Sequence, residues 1–83
     1  MLRREIWVDQ EERVVRYNLA YINPLIYAGD NGRVLGYDSA HEQHDRHYKG
    51  KVTAIRVAGL EQIESRFQKE WSRLAREAEH EKK

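Results

Sequence analysis

The sequence predicts an α+β fold, in which an antiparallel β-sheet of about five strands, connected as a meander, is packed by one C-terminal amphipathic helix. Up to residue 57, short segments alternate between apolar and polar residues with the period of two that is typical of strands. From Leu60 to Ala78, apolar residues instead recur every three or four positions, as on one face of a helix. A sheet and a helix that each carry one apolar face bury both faces by packing together.

Each element has its own local signal. The clearest strand is RVVRYNLAYI (residues 13–22), because its β-branched and aromatic residues alternate between two faces. The Asn31-Gly32 pair predicts a tight hairpin, since both residues accept positive φ angles. The very polar residues that follow the strand at 33–37, up to residue 51, are predicted to form a loop. The predicted strands are Leu2–Val8 and residues 13–22, 25–28, 33–37 and 52–57, and the apolar stripe of the helix consists of Leu60, Ile63, Phe67, Trp71, Leu74 and Ala78.

Composition limits the classes of function. The 83 residues suit a single α+β domain over residues 1–83, with fraying expected from about residue 79. A formal charge of +1 excludes a strongly basic nucleic-acid coat protein. The chain has no cysteine, which excludes a disulfide scaffold and a thiolate site. It has no apolar run long enough for a signal peptide or a membrane span, so we expect a cytoplasmic protein without membrane contact.

The segment GYDSAHEQHDRHYKGK (residues 36–51) is the best indication of function. It holds three of the four histidines within sixteen positions, together with aspartates, tyrosines and cations. Histidine titrates near neutral pH, so histidines clustered beside carboxylates and cations can move protons, bind a metal or hold a phosphate.

RNA cleavage by transesterification is one hypothesis for this segment. The reaction needs groups that accept and donate protons, and cations that stabilise the developing charge. The acid/base candidates are Asp38, His41, His44 and His47, with Asp45 as an alternative carboxylate. Cations would hold phosphate and tyrosines would stack on a base. These substrate-binding candidates are Tyr37, Arg46, Tyr48, Lys49 and Lys51.

Other interpretations of the segment remain open. The spacing of His41, His44 and His47 would suit a metal site, although structural zinc sites usually add cysteine or a second distant pair. The segment would also suit a non-catalytic module that binds nucleic acid or protein, or a solvated loop without chemistry. Trp7 and a free sheet edge would suit self-association. No cofactor and no resident metal are expected.

The stretch GRVLGYDSAHEQHDRHYKG, with VTAIRV and LEQIESRFQKEW after it, resembles the TumE-type family of small bacterial toxins. In that family a strand ends in Gly-Tyr-Asp-Asn, a His/Gly-rich loop ends in His-Arg-His or similar, and a strand and a helix follow. Ser39 departs from the pattern at a usual asparagine, and Asp45 at a common histidine or glycine. The matching residues are Gly36, Tyr37, Asp38, Arg46, His47 and Tyr48.

The resemblance implies a toxin–antitoxin operon, in which a helix-turn-helix antitoxin binds this protein and represses the operon. Many bacterial toxins of this size act on RNA, so the leading hypothesis is a cytoplasmic toxin that is an endoribonuclease. The expected partners are therefore the helix-turn-helix antitoxin and RNA, with a homodimer as a further expectation.

Overall fold

The structure, a computed structural model, describes residues 1–40 and 43–81. Five antiparallel strands form one sheet in chain order, and a single helix follows them. This confirms the predicted α+β meander with one C-terminal helix. The elements are β1 (Leu2–Val8), β2 (Val14–Ile22), a 3-10 turn (Asp30–Gly32), β3 (Arg33–Ala40), β4 (Gln43–Tyr48), β5 (Lys51–Ile55) and α1 (Leu60–Glu81).

The core lies between the helix and the side of the sheet that we call the helix face. Alternation along β2 and β3 directs their large apolar side chains toward α1. Tyr37 is fully buried, and its ring meets Phe67 edge-on with 6.2 Å between the ring centroids. The buried core consists of Tyr17, Leu19, Tyr21, Val34, Leu35, Tyr37, Ile63, Phe67 and Leu74.

The helix does not cover the opposite side of the sheet, which we call the open face. Side chains alternate along each strand, so the register assigns every second residue of the five strands to this side. The open face carries a mixture of charged, polar and small side chains. Its residues include Arg3, Glu5, Trp7, Arg16, Asn18, Ala20, Gly36, Asp38, Asp45, His47, Val52 and Ala54.

Two predicted elements are wrong. Residues 25–28 form a turn and not a strand, because the backbone N–H groups of Ile26 and Tyr27 both donate to the carbonyl oxygen of Asn23, at 3.0 and 3.1 Å. The loop predicted over residues 38–51 is also wrong for its described part: residues 38–40 complete β3, residues 43–48 form β4, and residues 49–51 turn into β5. Their polar side chains are compatible with a strand because most of β4 is only half-buried on both sides.

A two-residue turn joins β4 to β5. Lys49 and Gly50 have positive φ angles of 47° and 83°, and the flanking Tyr48 and Lys51 are paired. Two positive φ angles match the right-handed twist of a tight hairpin, and glycine adopts such an angle without strain.

The helix α1 extends to Glu81, beyond Ala78, where its apolar stripe ends and where the sequence predicts fraying. Within the described residues, no helix has both the length and the apolar character needed to cross a membrane.

Candidate functional site

The β3–β4 hairpin divides the predicted site between two faces. Asp38 and His47 lie on the open face, whereas His44 and Arg46 lie on the helix face, because consecutive side chains of a strand point in opposite directions. The sequence predicts one shared pocket for these groups. The structure instead forms two separate clusters, one on each side of the sheet.

On the open face, His47 lies between a cation and a carboxylate. Nη2 of Arg33 is 3.0 Å from Nδ1 of His47, and Oδ2 of Asp38 is 2.9 Å from Nε2. A guanidinium only donates hydrogen bonds, so Nδ1 accepts and the ring carries its proton on Nε2, facing Asp38. That contact is close but is not aligned as a hydrogen bond, since the buried Nε2 has no partner among the described residues. The His47 side chain as a whole is 15% exposed, although its Nε2 atom is buried.

Arg33 belongs to this cluster although the sequence pattern does not predict it there. Its Nε donates to Oδ2 of Asp30 at 2.8 Å, and its Nη1 is 3.6 Å from Oδ2 of Asp38. Its aliphatic part crosses Gly36, where an added Cβ would come within 2.8 Å of Cδ of Arg33. Gly36 pairs directly with His47, so the missing side chain makes room for the guanidinium beside the imidazole. A glycine inside a strand often marks such a close approach. Gly36 is therefore the sequence feature that could have indicated a neighbouring side chain such as Arg33.

A shallow pocket of about 230 Å³ adjoins this cluster on the open face. Arg3 and Arg33 both line it, and they favour an anionic group there. Nδ2 of Asn18 donates to Oε1 of Glu5 at 3.3 Å, while Oδ1 of Asn18 is buried without a partner among the described residues. The lining residues are Arg3, Asn18, Ala20, Ile22, Asp30, Asn31 and Arg33.

On the helix face, His44 is paired with Tyr17. The Tyr17 hydroxyl is 2.8 Å from Nδ1 of His44, and the two rings are stacked with 5.6 Å between their centroids. The backbone N–H of Tyr17 donates to Oγ of Ser39 at 3.0 Å. Burial, together with the charges of Asp38 and Asp45, raises the pKa of Tyr17 to about 12. The hydroxyl therefore keeps its proton at neutral pH, and it ties His44 to the buried side of the sheet.

A larger pocket of about 780 Å³ lies beside this pair, near the N-terminus of α1. Apolar side chains form much of its lining. The lining residues are Val14, Val15, Arg16, Tyr17, Ser39, His44, Val57, Ala58, Gly59 and Leu60.

The predicted phosphate-binding cations do not join Asp38 and His47. Arg46 contacts the Glu70 carboxylate of α1 through two of its nitrogens, and its guanidinium lies 5.3 Å from the ring centroid of Tyr48. Nζ of Lys49 also lies 5.5 Å from the Tyr48 ring centroid. Burial raises the pKa of Glu70, and the charge of Arg73 opposes that rise. The contact between Arg46 and Glu70 fastens the β3–β4 hairpin to α1.

The remaining predicted residues are also separated from the open-face cluster. Tyr37 is fully buried, with the Arg66 guanidinium 5.6 Å from its ring centroid, so the prediction that it stacks on a base is wrong. Lys51 is exposed at the start of β5, and its register places it on the helix face. His41 lies outside the described residues.

The alternative metal site on His41, His44 and His47 is wrong for the two histidines that the structure describes. His44 and His47 are three positions apart on β4, so they lie on opposite faces and contact different partners. Within residues 1–40 and 43–81, no group of three or more histidine or carboxylate side chains is arranged to hold a metal ion.

Comparison with known proteins adds no family assignment. The chain matches no protein-family profile, and no curated protein and no solved structure shows significant similarity to it. The resemblance to the TumE-type toxins therefore stays a prediction.

Proposed function

We propose that this protein is the cytoplasmic toxin of a bacterial toxin–antitoxin pair, and that it cleaves RNA at the cluster of Arg33, Asp38 and His47. The observation that supports this proposal is that His47 is held between a guanidinium and a carboxylate on the open face. Phosphodiester cleavage needs a proton acceptor, a proton donor and a cation at the phosphate, and these three side chains supply them.

In the proposed reaction, the 2′-oxygen of a ribose attacks the adjacent phosphorus while Asp38 accepts its proton. The bond between phosphorus and the 5′-oxygen breaks, and protonated His47 donates its Nε2 proton to that oxygen. The products are a 2′,3′-cyclic phosphate and a 5′-hydroxyl. The proton on Asp38 then passes to His47 across their 2.9 Å contact, which restores the starting state.

Arg33 changes partner when His47 is protonated at the start of this cycle. Once His47 is protonated, Nδ1 carries a hydrogen and no longer accepts from the guanidinium. Arg33 is then released toward the adjoining pocket, where it stabilises the charge on the phosphate oxygens with its two-pronged donor geometry. The reaction requires ionised Asp38 and protonated His47.

The proposed antitoxin is the helix-turn-helix protein that the family resemblance implies. It would neutralise the toxin by covering the open face. Trp7 and Val52 on this face are 41% and 56% exposed, so a protein partner has apolar side chains to bury there.

The test is cleavage of a mixed-sequence RNA oligonucleotide in the presence of EDTA. We expect wild type to leave cyclic phosphate ends, and His47→Ala and Asp38→Asn to be slower by about 100-fold or more, the usual range for losing an acid or base. His44→Ala is the matched control on the opposite face of the same strand, and it should cleave at close to the wild-type rate.

Three results would contradict the proposal. Wild-type cleavage by His47→Ala would remove that residue from the reaction. Complete loss of cleavage in the presence of EDTA would show that the reaction requires a metal ion. Intact RNA after prolonged incubation with wild type, together with stoichiometric binding, would make the protein a binding module instead of an enzyme.

A further inference from the structure

Trp7 places an exposed aromatic ring on the same face as the proposed active site. It pairs with Arg16 across the β1–β2 ladder, and the Arg16 guanidinium lies 5.0 Å from the centre of the Trp7 ring. The cation limits the rotation of the ring and adds positive charge beside it. The ring is 41% exposed, so a flat group can still pack against it.

We propose that the open face binds single-stranded RNA, with one base stacked on Trp7 and the neighbouring phosphates held by Arg3 and Arg33. This inference rests on the proposed function and names its substrate class. Stacking on an aromatic side chain together with contacts from cations is the usual way in which proteins bind unpaired nucleotides.

The register gives the distance between the stacking position and the reacting groups. Trp7 lies two residues along β1 from Glu5, and Glu5 is aligned through Asn18 with Asp38 on β3. With strands about 4.8 Å apart and a rise of about 3.4 Å per residue, the Cα atoms of Trp7 and Asp38 are roughly 12 Å apart. A short single strand crosses this distance, so the stacked base lies outside the linkage that is cleaved.

The face favours unpaired RNA over a duplex for two reasons. A duplex buries the flat surfaces of its bases, and only an unstacked base can lie on Trp7. The cations of the face are also few: Arg3, Arg16 and Arg33 are accompanied by the acidic Glu5, Asp30, Asp38 and Asp45. Two phosphate contacts, from Arg3 and Arg33, predict a slope of about −1.4 for the logarithm of affinity against the logarithm of salt concentration, which is shallow for a nucleic-acid-binding protein.

Binding is tested in the His47→Ala protein, which keeps the RNA intact. The measurement is the fluorescence anisotropy of a labelled eight-nucleotide single strand, with the same sequence annealed to its complement as the duplex. We expect Trp7→Ala to weaken single-strand binding by about 10- to 100-fold, since stacking is worth that much per base. Trp7→Tyr keeps a stacking ring and should lose much less. Val15→Ala, an exposed apolar residue of β2 on the helix face, is the matched control and should bind as the parent does.

A second measurement covers the case in which Trp7→Ala fails to fold. In a Trp71→Phe background Trp7 is the only indole, and single-stranded RNA should quench its fluorescence. Any of three results overturns the inference. Folded Trp7→Ala binds the single strand with unchanged affinity, RNA fails to quench the fluorescence of Trp7, or the protein binds the duplex as tightly as the single strand. If the wild-type protein cleaves RNA but Trp7→Ala binds the single strand as tightly as the parent, this inference alone is overturned. Binding that depends on Trp7 without any cleavage overturns the proposed nuclease alone.

Discussion

The two faces of the β3–β4 hairpin use the same kinds of side chain for different purposes. On the helix face, Arg46 is paired with Glu70, and these contacts fasten the hairpin to α1. On the open face, the equivalent charges of Arg33 and Asp38 surround a histidine and are exposed to a similar degree as Arg46 and Glu70. Alternation along a strand therefore lets one short segment both stabilise the fold and present reactive groups.

His44 and His47 also differ in how their ring nitrogens are hydrogen-bonded. Nδ1 of His44 has a close partner in the Tyr17 hydroxyl, whereas Nε2 of His47 is buried without an aligned partner among the described residues. Buried polar atoms are nearly always paired, so an unpaired imidazole nitrogen beside a carboxylate sets His47 apart from His44. The buried Tyr37 hydroxyl also lacks a partner among the described residues, and nothing in the structure explains it.

Arg46→Ala is the substitution with the largest expected effect on stability. It leaves the partly buried Glu70 carboxylate without its cation, and we expect a loss of about 2 kcal/mol in the free energy of unfolding, as for hydrogen bonds to charged groups. For a domain of this size that lowers the melting temperature by on the order of 10 °C. Circular dichroism measures the melting temperatures of wild type and Arg46→Ala. Cleavage is assayed well below both of these temperatures.

Cleavage per folded molecule should be unchanged in Arg46→Ala, because the side chain points away from His47. Arg56→Ala, at an exposed arginine, is the control and should melt close to wild type. A variant with native melting but little cleavage would show that Arg46 holds substrate, and the assignment of roles to the two faces would be wrong.

Gly36→Ala tests the open face with an intermediate effect. The added Cβ would meet Cδ of Arg33 at 2.8 Å, so the guanidinium must move from its place beside His47. We expect cleavage to slow by about tenfold, equivalent to about 1.4 kcal/mol in the barrier, with little change in melting. Gly59→Ala, where no atom lies within 4 Å of the added Cβ, is the matched control. Equal cleavage by the two variants would argue against a role for Arg33.

The fold follows from local patterns that the sequence displays directly. Alternation in β2 and the stripe of α1 identify the two apolar surfaces, and two such surfaces in so small a chain have to meet. The loop predicted after Tyr37 is wrong for the described residues because high polarity by itself does not indicate a loop. A half-buried strand with charged neighbours tolerates polar residues on both faces, and the Lys49-Gly50 turn was the local signal that two strands meet there.

The site depends on pairing register, which is non-local and cannot be obtained from spacing alone. Asp38 and His47 were predicted as acid and base, and they do lie together. Arg33 could not be identified in this way, because it reaches His47 only when Gly36 pairs opposite that histidine. The same register sends Arg46 to the helix, although it directly precedes His47 in the chain.

Tyr17→Phe should have the smallest effect and tests the helix face. It removes one hydrogen bond to His44, worth about 1 kcal/mol. Because the pKa of Tyr17 is raised from 10.0 to about 12, the folded protein keeps a proton that the unfolded chain loses. The stabilisation from this tyrosine is thus complete below about pH 10 and is lost as the pH rises through about 12. Urea unfolding at about pH 9 and about pH 11.5 measures this loss. Between these two pH values, the free energy of unfolding should fall less for Tyr17→Phe than for wild type. Cleavage at neutral pH should be unchanged, and a folded Tyr17→Phe that no longer cleaves RNA would move the catalytic centre to the helix face.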